Sequence, residues 1–332
     1  MTDWRSCAEH LARAIPAGDL HPETRAHMRS RIEKGPWGVA VSGGADSVTL
    51  LLLLWAHFPA DRRRLVVLHF DHRLRGADSR ADARFCRALA SALGLRYREG
   101  AWTKRPREIS EADARAARMK FFARELARRK SRTLWLAHQR DDVAESLLMR
   151  LARGSGAGGL AAPRPVQKIG GRWHLRPLLD LGKDRIVAEL ALADGSWRED
   201  ESNRSPAFFR NRVRGTVIPA WTKAAGRDAV AGAARSRQML QEDDDALEFW
   251  LDRIKPLRGR TLELTRLRGG PVALWRRALH RWLLTVRPDT DLSRRGFDAL
   301  LEAVRRGKDT RFSLGTNGFA VVAGGRLLFK KR

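Results

Sequence analysis

Six residues, Ser42-Gly43-Gly44-Ala45-Asp46-Ser47, stand between a short apolar run, Trp37 to Val41, and a longer one, Val48 to His57. Glycines at such a junction let backbone N–H groups converge on an anion. The N-terminus of a following helix adds its positive dipole. No Gly-Lys-Ser/Thr closes the loop, so it is not of the Walker type, and the dinucleotide spacing Gly-x-Gly-x-x-Gly is absent. Asp46 would repel a phosphate on its own. It makes sense beside a divalent cation such as Mg2+ that bridges phosphate oxygens. An ordinary capped turn also uses residues like Ser42 and Asp46, and the spacing alone leaves that alternative open.

A second constellation is His138, Asp141, Asp142 and Glu145. Spacings of three and four place the carboxylates on one helix face, just after a strand. They suit a magnesium ion, with Asp142 joining Asp46 as ligand, or the ammonium of an amine nucleophile. Acidic residues in a first helical turn also simply favour the dipole. Arg115 and Arg118 share a helix face. Glu111 lies four residues before Arg115, the spacing of a surface ion pair worth only ~0.3–0.5 kcal/mol. Arg210, Asn211, Arg212 and Arg214 form a basic cluster that suits RNA phosphate or a solvated face. His69, Asp71 and His72 close a strand. They line a nucleotide site or pack a strand end.

The elements that must position these groups follow from periodicity. Trp37 to Val41, Arg64 to Phe70, Leu95 to Arg98 and Thr133 to Ala137 read as buried strands. Helices are expected at 48–57, 78–93, 111–129 and 141–153. Strands alternating with helices of this length mean βαβ units and a parallel sheet covered on both faces. In such a sheet ligands bind at the carboxyl edge of the strands. Gly154 to Pro165 is expected as a mobile active-site loop. Beyond residue 222 the pattern becomes Ala-rich and helical, with hairpin signals at Asn317-Gly318 and Gly324-Gly325. The expected division is a catalytic domain, 1–222, and a smaller, mainly helical, basic domain, 223–332. The tryptophans of the latter are expected in its core.

Composition narrows the partners. The 65 basic residues exceed the 38 acidic ones, a net charge of +27, which favours a polyanion such as nucleic acid. No apolar run approaches the ~20 residues of a membrane span. Residues 1–5 lack the features of a signal peptide, so a cytoplasmic location is expected. Two cysteines, Cys7 and Cys86, are too few for a thiolate metal cluster.

The loop Ser42–Ser47 resembles the SGGxDS pyrophosphate loop of the N-type ATP pyrophosphatase superfamily. Four further stretches resemble the tRNA(Ile)-lysidine synthetases within it. They are His69 to Arg75 (HFDHRLR), Glu111 to Arg118 (EADARAAR), Ala137 to Gly156 (AHQRDDVAESLLMRLARGSG), and Asp200 to Asn203 followed by Arg210-Asn211-Arg212 and Arg214. Order and spacing match across residues 39–219. Three departures stand out: Gln139 for a second His, Val143 for a Gln, and Ser146 for a Thr.

The resemblance implies a two-step ligation. ATP adenylates the C2 oxygen of the wobble cytidine of a tRNA(Ile) with a CAU anticodon, releasing pyrophosphate. The ε-amine of free lysine then attacks C2 and expels AMP. It also implies that Ser42–Ser47 with His69, Asp71 and His72 bind the nucleotide. Asp46, Arg115, Arg118, His138, Asp142 and Glu145 would be catalytic, and Arg210, Asn211, Arg212 and Arg214 would touch RNA. A homodimer is compatible with this reading. The alternatives are a tRNA thiolase of the same superfamily and a non-catalytic RNA-binding protein.

Overall fold

Apolar strands followed by long helices build the first part of the chain, as their alternation predicts. A computed structural model describes residues 2–30, 35–73, 76–102, 110–199, 208–286, 292–315 and 318–331. Helices α1 (Trp4–Ala14) and α2 (Pro22–Arg29) precede β1 (Trp37–Ala40) and α3 (Ala45–His57). Then come β2 (Leu65–Asp71), α4 (Ala77–Ala92), β3 (Arg96–Ala101), α5 (Glu111–Arg128), β4 (Thr133–Trp135) and α6 (Arg140–Leu151). The expected strands and helices are all present, with ends shifted by a few residues.

The stretch 154–165, expected as a mobile loop, contains the short helix α7 (Ala157–Leu160). A hairpin the apolar runs did not announce follows, β5 (Val166–Ile169) and β6 (Arg172–Leu175). Its first strand is half-buried to exposed, so it carries little apolar signal. Next come α8 (Lys183–Leu192), α9 (Phe209–Arg212), a π-helical turn at Val213–Val217, α10 (Ile218–Ala225) and α11 (Ala229–Ile254).

The strands form one six-stranded sheet in the order β3-β2-β1-β4-β6-β5, parallel except for β5 at the edge. Helix α3 is apolar nearly all round, and Val48 to Trp55 are buried. It joins α1, α4 and α8 in the main core on one face of the sheet. Phe121, Phe122 and Leu126 of α5 cover the other face against Val66, Leu68 and Leu134. Gly38 in β1 permits that approach: a Cβ there would lie 2.7 Å from Leu126 and 2.8 Å from Leu68. This is a doubly covered parallel α/β sheet, the expected class.

The chain divides into two compact units, Met1–Leu240 and Gln241–Arg332; composition had placed the change near residue 222. In the second unit, α12 (Val272–Val286) and α13 (Arg294–Arg306) pack with a five-stranded antiparallel sheet. Its strands are β7 (Leu257–Arg258), β8 (Thr261–Glu263), β9 (Thr310–Ser313), β10 (Phe319–Ala323) and β11 (Arg326–Lys330), ordered β7-β8-β11-β10-β9. The hairpin at Gly324-Gly325 joins β10 and β11. Asn317 lies outside the described residues. Trp275 and Trp282 are core residues, whereas Trp250 is exposed. Asp244, Glu248 and Asp252 on α11 form an ion-pair ladder with Arg277 and Arg281 of α12. Part of the Arg-rich character is therefore consumed internally.

Candidate active site

β1 and β4 are adjacent and parallel, so the segments that follow them leave the same edge of the sheet. One is Ser42–Ser47. The other runs from His138 to Glu145.

In the first segment, Ser47 Oγ accepts from Ser42 N (3.1 Å) and Gly43 N (3.2 Å) and donates to Gly44 O (2.9 Å). The loop is thus closed by its own last residue. Gly43 sits at φ +98°, a conformation that L side chains rarely adopt. Arg198 N donates to Gly43 O (2.9 Å), and Arg198 Nε holds Asp82 (2.8 Å), which straps the loop from outside. No side chain caps α3, so its first amides remain oriented for an anion. Asp46 Oδ1 is buried without a hydrogen-bond partner. Burial pushes the Asp46 carboxyl up to about 6, with Asp142 and Asp141 adding and Lys183 and Arg214 opposing. The two predicted segments therefore share one electrostatic site.

In the second segment Gln139 caps α6. Its Oε1 accepts from Asp141 N (2.5 Å), while its own N–H donates to Asp142 Oδ2 (3.0 Å). This is what the departure to Gln139 does here. Val143 is fully buried, so this departure from the resembled motif supplies packing surface. Asp141 Oδ2 accepts from Lys183 N (3.0 Å), tying the start of α6 to that of α8.

Glu145 has no exposed side-chain surface. It is clasped by two arginines: Arg210 Nε reaches Oε2 (2.6 Å) and Arg214 Nε reaches Oε1. Arg210 Nη2 also donates to Asp142 Oδ1 (2.6 Å). Arg210 and Arg214 are four residues apart on the irregular helix through the π-helical turn, so both face α6. Arg210 and Arg214, expected at RNA phosphate, have carboxylate partners in this arrangement. Both oxygens of Asp142 likewise accept hydrogen bonds, from Arg210 and from Gln139 N, whereas Asp46 keeps an unpartnered oxygen that a cation would fit. Among the described residues no group of three or more His, Cys, Asp and Glu side chains gathers to hold a metal.

Arg115 feels both Glu111 of its own helix and Asp142 of α6, whereas Arg118 feels Glu111. Burial holds the Arg118 guanidinium down to about 10, with Arg115 and Arg210 adding repulsion. Arg115 is lowered by burial and Arg210, while Glu111 and Asp142 oppose. Glu111 acts on Arg115 through its charge, without the close surface ion pair that the spacing left open as an alternative. His138 is pushed well below its ordinary value by burial first and then by Arg176, Arg115, Arg210 and Arg118.

Other predicted residues have local partners. His69 is buried, and its Nδ1 lies 2.9 Å from Val41 O, joining the ends of β2 and β1. Asp71 Oδ1 accepts from Arg73 N (2.6 Å), a turn within its own segment. His72 packs against Phe70 and Trp102. Arg212 is exposed and lies over Phe209, and Asn211 is half-buried. Leu74 and Arg75 of one motif, and Asp200 to Asn203 of another, lie outside the described residues. Arg176, Lys183 and Arg198 were missed. Arg176 and Arg198 follow element ends and Lys183 begins α8, none with a neighbour at a telling spacing, so periodicity had no signal to offer.

Curated relatives are named tRNA(Ile)-lysidine synthase. The protein from Geobacter sulfurreducens is 38% identical over 272 residues, covering 78% of this chain and 56% of that protein. That from Solibacter usitatus is 38% identical, covering 68% and 49%, and that from Symbiobacterium thermophilum 40% identical, covering 63% and 44%. The chain spans about half the length of these relatives. A sequence model of the PP-loop domain, ATP_bind_3, matches residues 21–221, which contain every element of the six-stranded sheet and the whole of the site just described. The chain belongs to the PP-loop domain family.

Proposed function

We propose that the chain is a tRNA(Ile)-lysidine synthase, joining lysine to C2 of the wobble cytidine in a CAU anticodon at the expense of ATP. The observation that carries this reading is one sheet edge bearing both an anion-binding loop and a buried acid–arginine cluster. ATP lies with its β and γ phosphates at the amides of Ser42–Ser47 and the start of α3. Cytidine O2 attacks the α phosphorus, and the bond to the pyrophosphate oxygen breaks. The lysine amine then attacks C2, AMP leaves with O2, and the amine loses a proton. Arg115 and Arg118, guanidinium groups short of acidic partners, oppose the negative charge of the transferred phosphoryl group. A divalent ion would be held by Asp46, with its unpartnered oxygen, and would screen the phosphate charge.

Asp142 and Glu145 receive the lysine ammonium. For that, Arg210 and Arg214 must loosen their grip. Phosphates of a bound RNA offer them replacement partners, with Asn211 and Arg212 beside them. Amine capture is thereby tied to RNA binding. The basic second unit, with its exposed Trp250 and Phe249, contributes to holding the rest of the tRNA. No described helix is long and apolar enough to cross a membrane, consistent with a cytoplasmic enzyme.

The thiolase alternative is disfavoured. Cys7 and Cys86 are both buried, and burial pushes their thiols up to about 11 and about 12. Neither supplies a thiolate near neutral pH.

The test mixes protein, ATP, Mg2+, radiolabelled lysine and transcripts with CAU or GAU anticodons. Label is expected only in the CAU transcript, with AMP and pyrophosphate released. An Asp46→Ala variant is expected to bind tRNA without releasing AMP. A wild type that binds tRNA but releases no lysine-dependent AMP would make this a non-catalytic RNA-binding protein.

A further inference from the structure

Arg176 stands at the end of β6, only 2% exposed, and the reaction scheme above gives it no task. Its backbone N donates to Pro165 O (2.8 Å), and its Nη1 donates to Arg164 O (2.7 Å). Its Nε donates to His138 Nδ1 at 3.3 Å. None of these acceptors is a carboxylate. One bond fixes the Arg176 backbone against Pro165 and the other fixes its guanidinium against Arg164 O, so the direction in which it presents Nε is set by the strand and the 164–165 segment.

A guanidinium has donors and no acceptor. His138 Nδ1 must therefore offer a lone pair, and the one proton of the neutral ring sits on Nε2. A second proton on Nδ1 would set donor against donor. It would also add charge among Arg176 beside β6, Arg115 and Arg118 of α5, and Arg210 of α9, the groups whose charges bear on the imidazole. Burial acts in the same direction. Among the described residues, no protein acceptor meets Nε2–H.

We infer that Arg176 is a positioning residue that locks His138 as a neutral Nε2–H donor, and that this donor serves an anionic phosphoryl oxygen of the transferred adenylate. The second half rests on the proposed function. A spot ringed by guanidinium groups favours an anionic acceptor over a neutral carbonyl. The lock also removes His138 from the role of general base, because the nitrogen free to face a ligand already carries the proton.

The experiment uses the full chain with 15N-labelled histidine. Long-range 1H–15N spectra are recorded from pH 5 to 9, and the His138 signal is identified by its loss in His138→Gln. The wild type should show Nε2–H with unprotonated Nδ1 throughout. Arg176→Met should mix the tautomers and bring a titration toward the ordinary value of about 6.5, and Arg176→Lys should restore part of the bias. A wild-type ring protonated on Nδ1, or an unchanged ring in Arg176→Met, overturns the lock. If Arg176→Met does not fold, the wild-type spectrum alone decides.

Activity tests the second half. A Gln amide nitrogen reaches the place of Nε2, and an Asn nitrogen that of Nδ1. His138→Asn should lose about 100-fold in AMP release, and His138→Gln clearly less; the reverse order overturns the phosphoryl role. A wild type without lysine-dependent AMP release would sink the lysidine reading while leaving the spectra, and the tautomer they report, untouched.

Discussion

Two carboxylates on the same sheet edge have opposite fates. Glu145 on α6 is fully buried and held by Arg210 and Arg214. Asp46 at the start of α3 is mostly buried, yet one oxygen meets no donor and the charge that acts on it most is another acid, Asp142. A buried charge either finds a partner within the chain or keeps a cost that a ligand can relieve. Glu145 belongs to the first kind and Asp46 to the second. The difference separates a carboxylate whose charge is matched within the chain from one whose charge is not.

The largest effect should come from breaking the closed cluster. Glu145→Ala leaves two half-buried guanidinium groups without their shared acid, and the fold should lose about 3–5 kcal/mol. Calorimetry would show this as a lowered Tm. Adding Arg210→Met and Arg214→Met should recover much of the loss. A single variant as stable as wild type would mean that the clasp holds nothing together.

Asp46→Asn should act with the opposite sign on stability. The folded carboxyl has its pKa raised from 3.8 to about 6, so the folded state favours the protonated form. The resulting cost is absent below pH 3.8, grows as pH rises through about 6, and stays constant above. At about 1.4 kcal/mol per tenfold change in proton affinity, it amounts to at most about 3 kcal/mol. Asp46→Asn should therefore be more stable than wild type at pH 7 to 8 and equal to it near pH 4, while losing AMP release. Denaturant midpoints at the two pH values decide this. A variant less stable at pH 8 would place Asp46 with Glu145, as a partnered group.

Gly43→Ala probes the loop that sets Asp46 in place. A methyl group at φ +98° is strained and would approach Cys86 Sγ at 3.4 Å and Arg198 Cγ at 3.5 Å. A loss of about 1–2 kcal/mol is expected, with a raised KM for ATP. An unchanged KM would show that the loop tolerates rearrangement.

The smallest effect concerns the outward face of the arginine cluster. Arg212→Ala should change stability by less than about 0.5 kcal/mol. It should weaken tRNA binding and make the dependence on salt shallower, as filter-binding titrations at several salt concentrations would show. Arg210→Ala should instead lower stability, because its partners lie inside.

Much of this arrangement was legible in the residues themselves. The apolar runs around residues 37–41, 65–70 and 133–136 announce parallel strands, and Ser42–Ser47 announces a loop for an anion. Asp142 and Glu145 share a face because three residues make nearly one helical turn. All of these depend on spacing along a single segment, which a linear chain displays directly.

Only tertiary structure decided who meets whom. Arg210 and Arg214 reach Glu145 across 65 and 69 residues of sequence, and Arg176 reaches His138 across 38. Arg115 feels the charge of Asp142 on α6 as well as that of Glu111, its neighbour by spacing. The β5–β6 hairpin joins the sheet with scarcely any apolar pattern of its own. An arginine is long, always charged, and able to serve phosphate, carboxylate or imidazole equally well. Its partner is set by which strand ends and helix faces the fold brings within a few ångströms, and no local period carries that information.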